Sequence, residues 1–281
     1  MLLQRIFAYG LWLLCVWLSL APADAFAQAS DLSSSDLRAL LDRAFEKRFN
    51  CSTRQSLTLV LRSREREVMR QRIEMATKIT DGRLQAIGRF VQPPDLRDTA
   101  LLMLEGDERE DFFLYLPALL RVRRVTGAQR SDSFMGTDLS YEDLRRPRVE
   151  NYEAFSARHE RVENEEAIMI SARPLRDVGY ERMEVAIAEQ DAAILSTRYF
   201  KKGMSEPYKV IETPRAALHA EGDVSLPTRI FVRNLAAKTE TEILVDAFEV
   251  NPDTKDTLFT THALTVGRAL PPISKRKLTS H

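Results

Sequence analysis

Apolar and polar positions along the chain change their spacing once, and that change divides it. From Ser33 to Asn50 (SSSDLRALLDRAFEKRFN), Leu37, Leu40, Leu41, Ala44, Phe45 and Phe49 recur at helical spacing behind a serine and aspartate cap, which predicts one amphipathic helix. Past it the spacing drops to two. In EVMRQRIEMATKI, Met69, Ile73, Met75 and Ile79 share one face while Arg70, Arg72, Glu74 and Lys78 share the other, the pattern of a half-buried strand. Thr80-Asp81-Gly82 turns it into RLQAIGRF, where Leu84, Ala86, Gly88 and Phe90 alternate with Arg83, Gln85 and Arg89, so the two form a hairpin. Pro93-Pro94 breaks the ladder before two short apolar runs, TALLMLE and DFFLYLP, which read as buried strands.

Further strands are expected at Tyr152–Val162, Ala167–Ala172, Tyr180–Ala188, Ala193–Phe200, Tyr208–Glu212, Thr228–Asn234 and Thr241–Val250, with a last one near Leu258–Leu264. Consecutive strands joined by short turns such as Glu163-Asn164-Glu165, with few helices, predict a mainly β fold built on a large antiparallel sheet that curls. No fixed repeat, low-complexity linker or shift of composition marks a boundary, so residues 30–281 are expected to form one domain.

The first residues change the picture of where this domain works. MLLQRIFAYGLWLLCVWLSLAPADAFAQAS has Arg5 ahead of an apolar run from Ile6 to Leu20 and ends on the small-x-small pattern Ala27-Gln28-Ala29, which predicts an export signal over residues 1–29, cleaved near Ala29, with Ala25 and Ala27 as alternatives. The apolar run is shorter than the roughly twenty residues of a membrane-spanning helix, the competing reading. Leu14 stands before Cys15 where a lipidated cysteine needs a small residue. Cleavage removes Cys15 and leaves Cys51 without an intrachain partner, so the core rather than a disulfide must hold the fold. The 41 basic and 41 acidic side chains balance, which gives no electrostatic reason to expect nucleic acid as a partner.

A search for chemistry finds no nucleophile elbow, no His-Glu-x-x-His, no phosphate-cradling glycine loop and no Cys-x-x-Cys. His159 sits among surface charges and His262 in the expected last strand. The most unusual stretch is RVRRVTGAQRSDSFMGTDLSYEDL, from Arg121 to Leu144. Its Asp132, Asp138, Glu142 and Asp143 match no calcium-loop spacing, and Arg121, Arg123, Arg124 and Arg130 offer them ion pairs instead. No catalytic residue, metal or cofactor is assigned, and a non-enzymatic protein is expected.

The run from Arg89 to Leu144 resembles the outer-membrane lipoprotein-sorting protein family, relatives of the periplasmic lipoprotein carrier with the LolA-like fold. The resemblance is carried by Phe90 with Pro94 and Asp95, Thr99-Ala100-Leu101-Leu102, Tyr115-Leu116-Pro117, Arg123-Arg124, and above all Ser131-Asp132-Ser133-Phe134-Met135-Gly136 with Asp138, Tyr141, Glu142, Asp143 and Leu144. Asp98 departs from it, standing where a glycine is expected. The resemblance implies an α+β fold, an unclosed antiparallel β half-barrel packed on helices, with an apolar cavity for acyl chains of lipids or lipoproteins. It also implies residence in the periplasm, association with an inner-membrane exporter of the resistance, nodulation and division (RND) type, and delivery to an outer-membrane acceptor.

On that view the cavity is lined by Met69, Ile73, Met75, Leu84, Phe90, Leu101, Met103, Phe113 and Tyr115, with methionines suited to an irregular apolar ligand. The residues alone leave open an ordinary core beneath the helix. Phe134, Met135 and Tyr141 then close over the mouth while arginine–carboxylate pairs shape the loop; the alternative is a structural loop clamping two strands. A second functional class, a sensor or accessory module binding a membrane-anchored regulator or exporter, stands beside the carrier.

Overall fold

The computed structural model describes residues 32–106 and 110–266, together with Leu270 and Ile273. The expected export signal lies outside the described residues, as does the basic tail after Ser274. Helix α1 (Ser34–Phe49) opens the chain, with Ser33 and Asp36 forming a reciprocal cap that satisfies its first free N–H groups. There follow β1 (Thr53–Ser63), β2 (Arg66–Thr80), β3 (Arg83–Gln92), β4 (Ala100–Glu105), β5 (Glu110–Leu116) and β6 (Arg121–Arg124). After a long connection come β7 (Tyr152–Val162), β8 (Glu165–Pro174), β9 (Arg182–Ala188), β10 (Ile194–Phe200) and β11 (Lys209–Glu212). A small hairpin of β12 (Leu218–Glu221) and β13 (Val224–Pro227) precedes β14 (Arg229–Asn234), β15 (Thr239–Val250) and the short helix α2 (Thr261–Thr265).

Thirteen of these strands make one antiparallel sheet in the order β6-β5-β4-β3-β2-β1-β15-β14-β11-β10-β9-β8-β7. The sheet does not close into a barrel, and the fold is of the expected mainly β class with an open antiparallel sheet. The order shows how the chain is laid down. It starts at the centre with β1, steps outward strand by strand to the edge at β6, and resumes at the opposite edge with β7. From there it steps back inward to β15, which pairs with β1 over its whole length. Residues 125–151 therefore join the two edges, and they do so across one face, hereafter the inner face. Val125, Phe134, Leu139 and Tyr141 of this strap pack with Leu59, Ile73, Phe90, Leu101, Phe112 and Ile243.

Helix α1 covers the inner face at the other end. Leu41, Ala44 and Phe45 are buried against Ile170, Val185, Ile187 and Ile194. Helix α2 lies on the outer face, where Phe259 and Leu264 cover Ala76, Ile87, Leu102 and Tyr115, and the buried Arg89 donates to the carbonyls of Ala263 and Leu264 at 3.1 and 3.0 Å. Each helix thus covers strands from the other half of the chain.

Several expectations need correction. Leu258–Leu264 is not a strand: Thr260 caps the N-terminus of α2, accepting from the Ala263 amide, and His262 lies in that helix. Strand β1, at the centre of the sheet, is not among the strands that the spacing predicts. Arg89 is not on a solvent face but under α2. Asp98, in the glycine position, adopts φ 66°, the left-handed region that glycine favours, so the turn is kept with aspartate, one of the side chains that tolerate it.

Candidate functional site

The strap is held at four points along the inner face. At its centre Phe134 N–H donates to the Leu139 carbonyl at 2.7 Å and Thr137 N–H to the Phe134 carbonyl at 3.0 Å, closing a tight turn whose central residues, Met135 and Gly136, have φ of 50° and 79°. Gln71, fully buried on β2, donates from Nε2 to the Met135 carbonyl at 2.9 Å and fixes that turn to the sheet. Asp138 binds β15: its N–H donates to Thr241 Oγ1 at 2.9 Å, and its carboxylate accepts from the Thr239 and Thr241 hydroxyls. Asp143 accepts from Lys209 Nζ of β11 at 2.6 and 2.7 Å, with only 3% and 6% of the two side chains exposed.

At the far end Arg145 pairs with Glu110 and Glu142, and Arg146 and Arg148 both reach Glu105. Burial pushes the Glu105 carboxyl up, but hydrogen bonds from Arg148 and the Leu84 amide, with the charges of both arginines, outweigh it and hold the group below its ordinary range.

Between strap and sheet lies an apolar chamber of about 250 Å³. Of the residues expected to line a cavity, Ile73, Met75, Phe90, Leu101 and Met103 line it, joined by Leu57 and Leu59 of β1 and by Ile230, Ile243 and Val245 from β14 and β15. Leu84 packs in the surrounding core, and Met69 lies beneath Gly136, its Sδ and Cε closest to where a Cβ would stand there. Phe113 and Tyr115 are a correction: they pair with Leu102 and Ala100 and belong to the outer face, with α2. Of the three expected rim residues Phe134 lines the chamber; its ring stands 5.8 Å from Phe90 and 5.6 Å from Tyr141, and both Phe134 and Tyr141 are 5% exposed. Met135 is half-buried in the turn.

Leu139 and Leu144 of the strap form a partition. They line this chamber on one side and on the other a second cavity of about 220 Å³, between α1 and strands β9 to β11. Its wall is apolar through Phe45, Met183, Val185, Ile194, Ile211 and Val232. It also carries Tyr152, Tyr180 and Tyr199, the first two with hydroxyls 3.2 Å apart, and Arg48 of α1. Burial raises the pKa of all three phenols, so they stay protonated as donors. The periodicity of the sequence does not predict this cavity, although Arg48 continues the stripe of Leu37, Leu41, Ala44 and Phe45.

Among the described residues the histidines and the cysteine are not placed with one another. His159 bonds Glu189 at the surface and His219 bonds Glu221. Cys51 is buried and unpaired, and burial pushes its thiol pKa up, away from the reactive thiolate. Among the described residues no three His, Cys, Asp or Glu side chains gather as metal ligands, and no helix is long and apolar enough to cross a membrane.

A family model described only as an uncharacterised protein matches residues 82–266. No curated protein matches the chain. Solved structures do. A domain described as outer-membrane lipoprotein-sorting, from Vibrio parahaemolyticus, superposes with a TM-score of 0.76 at 18% identity, over 83% of this chain and 100% of its own. A DUF1329-family protein from Desulfovibrio piger gives 0.74 at 19% identity over 82% and 98%, and a LolA-superfamily protein from Nitrosomonas europaea gives 0.65 at 16% over 83% and 99%. At these identities the likeness is one of fold.

Proposed function

We propose that this chain, which belongs to the uncharacterised family matched over residues 82–266 and has a LolA-like fold, is a periplasmic carrier that shields acyl chains of lipids or lipoproteins inside its half-barrel. The observation that carries the reading is the apolar chamber roofed by the strap. A chain leaving a membrane for water loses about 0.8 kcal/mol for each methylene exposed, so a carrier must offer a dry surface of matching length. Here Ile73, Met75, Phe90, Leu101 and Met103 supply that surface from one half of the sheet and Ile230, Ile243 and Val245 from the other.

At about 250 Å³ the chamber falls short of the roughly 300–1,000 Å³ of drug-sized ligand sites. A long acyl chain therefore enters only if the strap moves, which makes Phe134 part of the gate as well as part of the core. We extend the reading to export of residues 30–281 as one lipid-binding unit after loss of the leader, to an RND-type exporter as donor and to an outer-membrane acceptor. Leu119 and Leu120, exposed at 66% and 82% at the end of β5, supply an apolar contact for such partners. The same pair favours the second reading, an accessory module that docks on a membrane-anchored partner.

Native mass spectrometry of the mature protein from its own periplasm, followed by extraction, tests the first reading. The expected result is a stoichiometric lipid; a stable, empty protein would move the weight to the docking module. Replacing Phe134 with Asp in a variant that still folds is expected to reduce lipid uptake, and unchanged uptake would remove the gate.

A further inference from the structure

The second cavity holds more positive charge than it neutralises. The charged residues of its wall are Arg48, Glu142, Asp143, Arg145, Arg146 and Arg176. Both carboxylates are committed, Glu142 to Arg145 and Asp143 to Lys209. Arg145 holds Glu110 as well, and Arg146 holds Glu105. Arg48 and Arg176 remain without a carboxylate among the described residues. Arg176 is exposed at the rim, where solvent screens it. Arg48 is different.

Arg48 occupies the apolar stripe of α1, one turn beyond Ala44 and Phe45. Its two hydrogen bonds both leave from Nη1, to Thr213 Oγ1 at 3.0 Å and to the Ile194 carbonyl at 3.5 Å. Among the described residues nothing accepts from Nε or Nη2, which keep access to solvent. The ring of Phe49 5.6 Å away and the carbonyl end of α1 offer partial compensation only. Burial lowers its pKa to about 10, and no nearby carboxylate restores it. The side chain is half-buried, and a guanidinium held against an apolar wall without a counter-ion costs part of its hydration. The cost is removed when an anion arrives, and the planar fork is shaped for a carboxylate or a phosphate. The phenolic donors Tyr152 and Tyr180 stand in the same wall.

We propose that the second cavity binds the anionic head of a single-chain amphiphile, a carboxylate or a phosphate monoester, with Arg48 as its counter-ion and the alkyl chain lying along Ile194, Ile211 and Val232 toward the Leu139 partition. The head group is assigned from Arg48 and its unanswered charge; only the tail rests on the acyl-chain reading above.

The test is displacement of the neutral fluorophore N-phenylnaphthylamine from the mature protein, at neutral pH, by dodecanoate, dodecyl phosphate and dodecanol. The expected result is that at least one anion displaces the probe at a concentration about tenfold or more below that of the alcohol, and the better anion identifies the head-group class. Arg48→Met is expected to bring the anion-to-alcohol ratio close to one, and Arg48→Lys to keep part of the preference. Equal displacement by all three in the wild-type protein overturns the inference and leaves the acyl-chain reading standing. A preference that survives in a folded Arg48→Met protein overturns it too. Displacement by none of the three removes both. If Arg48→Met fails to fold, the wild-type comparison of anions with alcohol still decides.

Discussion

Gly136 shows how much a single backbone angle carries. Its φ of 79° lies where a side chain clashes with its own carbonyl, and an added Cβ would also touch the Met69 Sδ and Cε at 3.7 and 3.6 Å. Gly136→Ala is expected to destabilise the protein by about 1–2 kcal/mol, read from thermal or urea melts, and an unchanged midpoint would mean that the turn relaxes freely. The Asp143–Lys209 pair raises the stakes, since removing one partner leaves the other charge buried. Asp143→Leu or Lys209→Met is expected to cost about 3–5 kcal/mol, whereas the double replacement Asp143→Leu with Lys209→Met recovers much of it; additive losses would show that the two residues act separately.

Individual residues are legible where polar and apolar side chains alternate along a strand, whether the polar face meets water, as in β2, or a helix, as Arg89 meets α2. Ile73, Met75 and Phe90 fall into place because Arg72, Glu74 and Arg89 alternate with them. Phe113 and Tyr115 do not, because β4 and β5 are covered on both faces, by the strap and by α2, and a run that is apolar throughout has no phase. Gln71 had a readable signal, a polar side chain between Met69 and Ile73 on an apolar face. Arg48 had one as well, as a charge within an apolar helical stripe.

At the scale of elements the strap behaves as a tethered segment whose far tether depends on pH. Glu105 has its folded pKa held below the unfolded value near 4.5, so its contribution is fully present above that value and disappears as pH falls through the folded pKa. Acid melts are therefore expected to show a loss of stability below about pH 4.5 that is flattened in Glu105→Gln; parallel curves for the two proteins would place the acid sensitivity elsewhere. The sheet's two edges are protected against pairing with other chains. Strand β6 is four residues long and three are arginine, and β7 carries Arg158, Glu160 and Arg161. Replacing Arg121 and Arg123 together with valine is expected to produce aggregates in light scattering without lowering the melting temperature, and a monodisperse variant would refute that role for the arginines. Strand β1 is hard to read from its sequence because polar residues such as Gln55 and Ser63 interrupt the alternation of its leucines. Thr53, Ser56 and Thr58 are buried there on hydrogen bonds to Thr77, Glu74 and Asp246, partners that only the fold supplies. The short run before Leu264 was ambiguous for the opposite reason, being too brief to separate helix from strand.

For the whole molecule, ligand binding and strap opening are one equilibrium. A ligand that fills the chamber at a hundred times its Kd is expected to add about 2.7 kcal/mol to stability, and hydrogen exchange should show the change first at residues 131–147; protection spread evenly over the sheet would argue against a moving strap. The path of the chain carries a further consequence. Because β1 and β15 meet at a central seam, and α1 and α2 each reach across it, a cut in the strap at the exposed Gly127 would leave two meanders that share one long ladder and clasp each other with an exchanged arm. Two such polypeptides, made separately, have the means to find each other and rebuild the molecule. Two intact copies have the same means to trade halves.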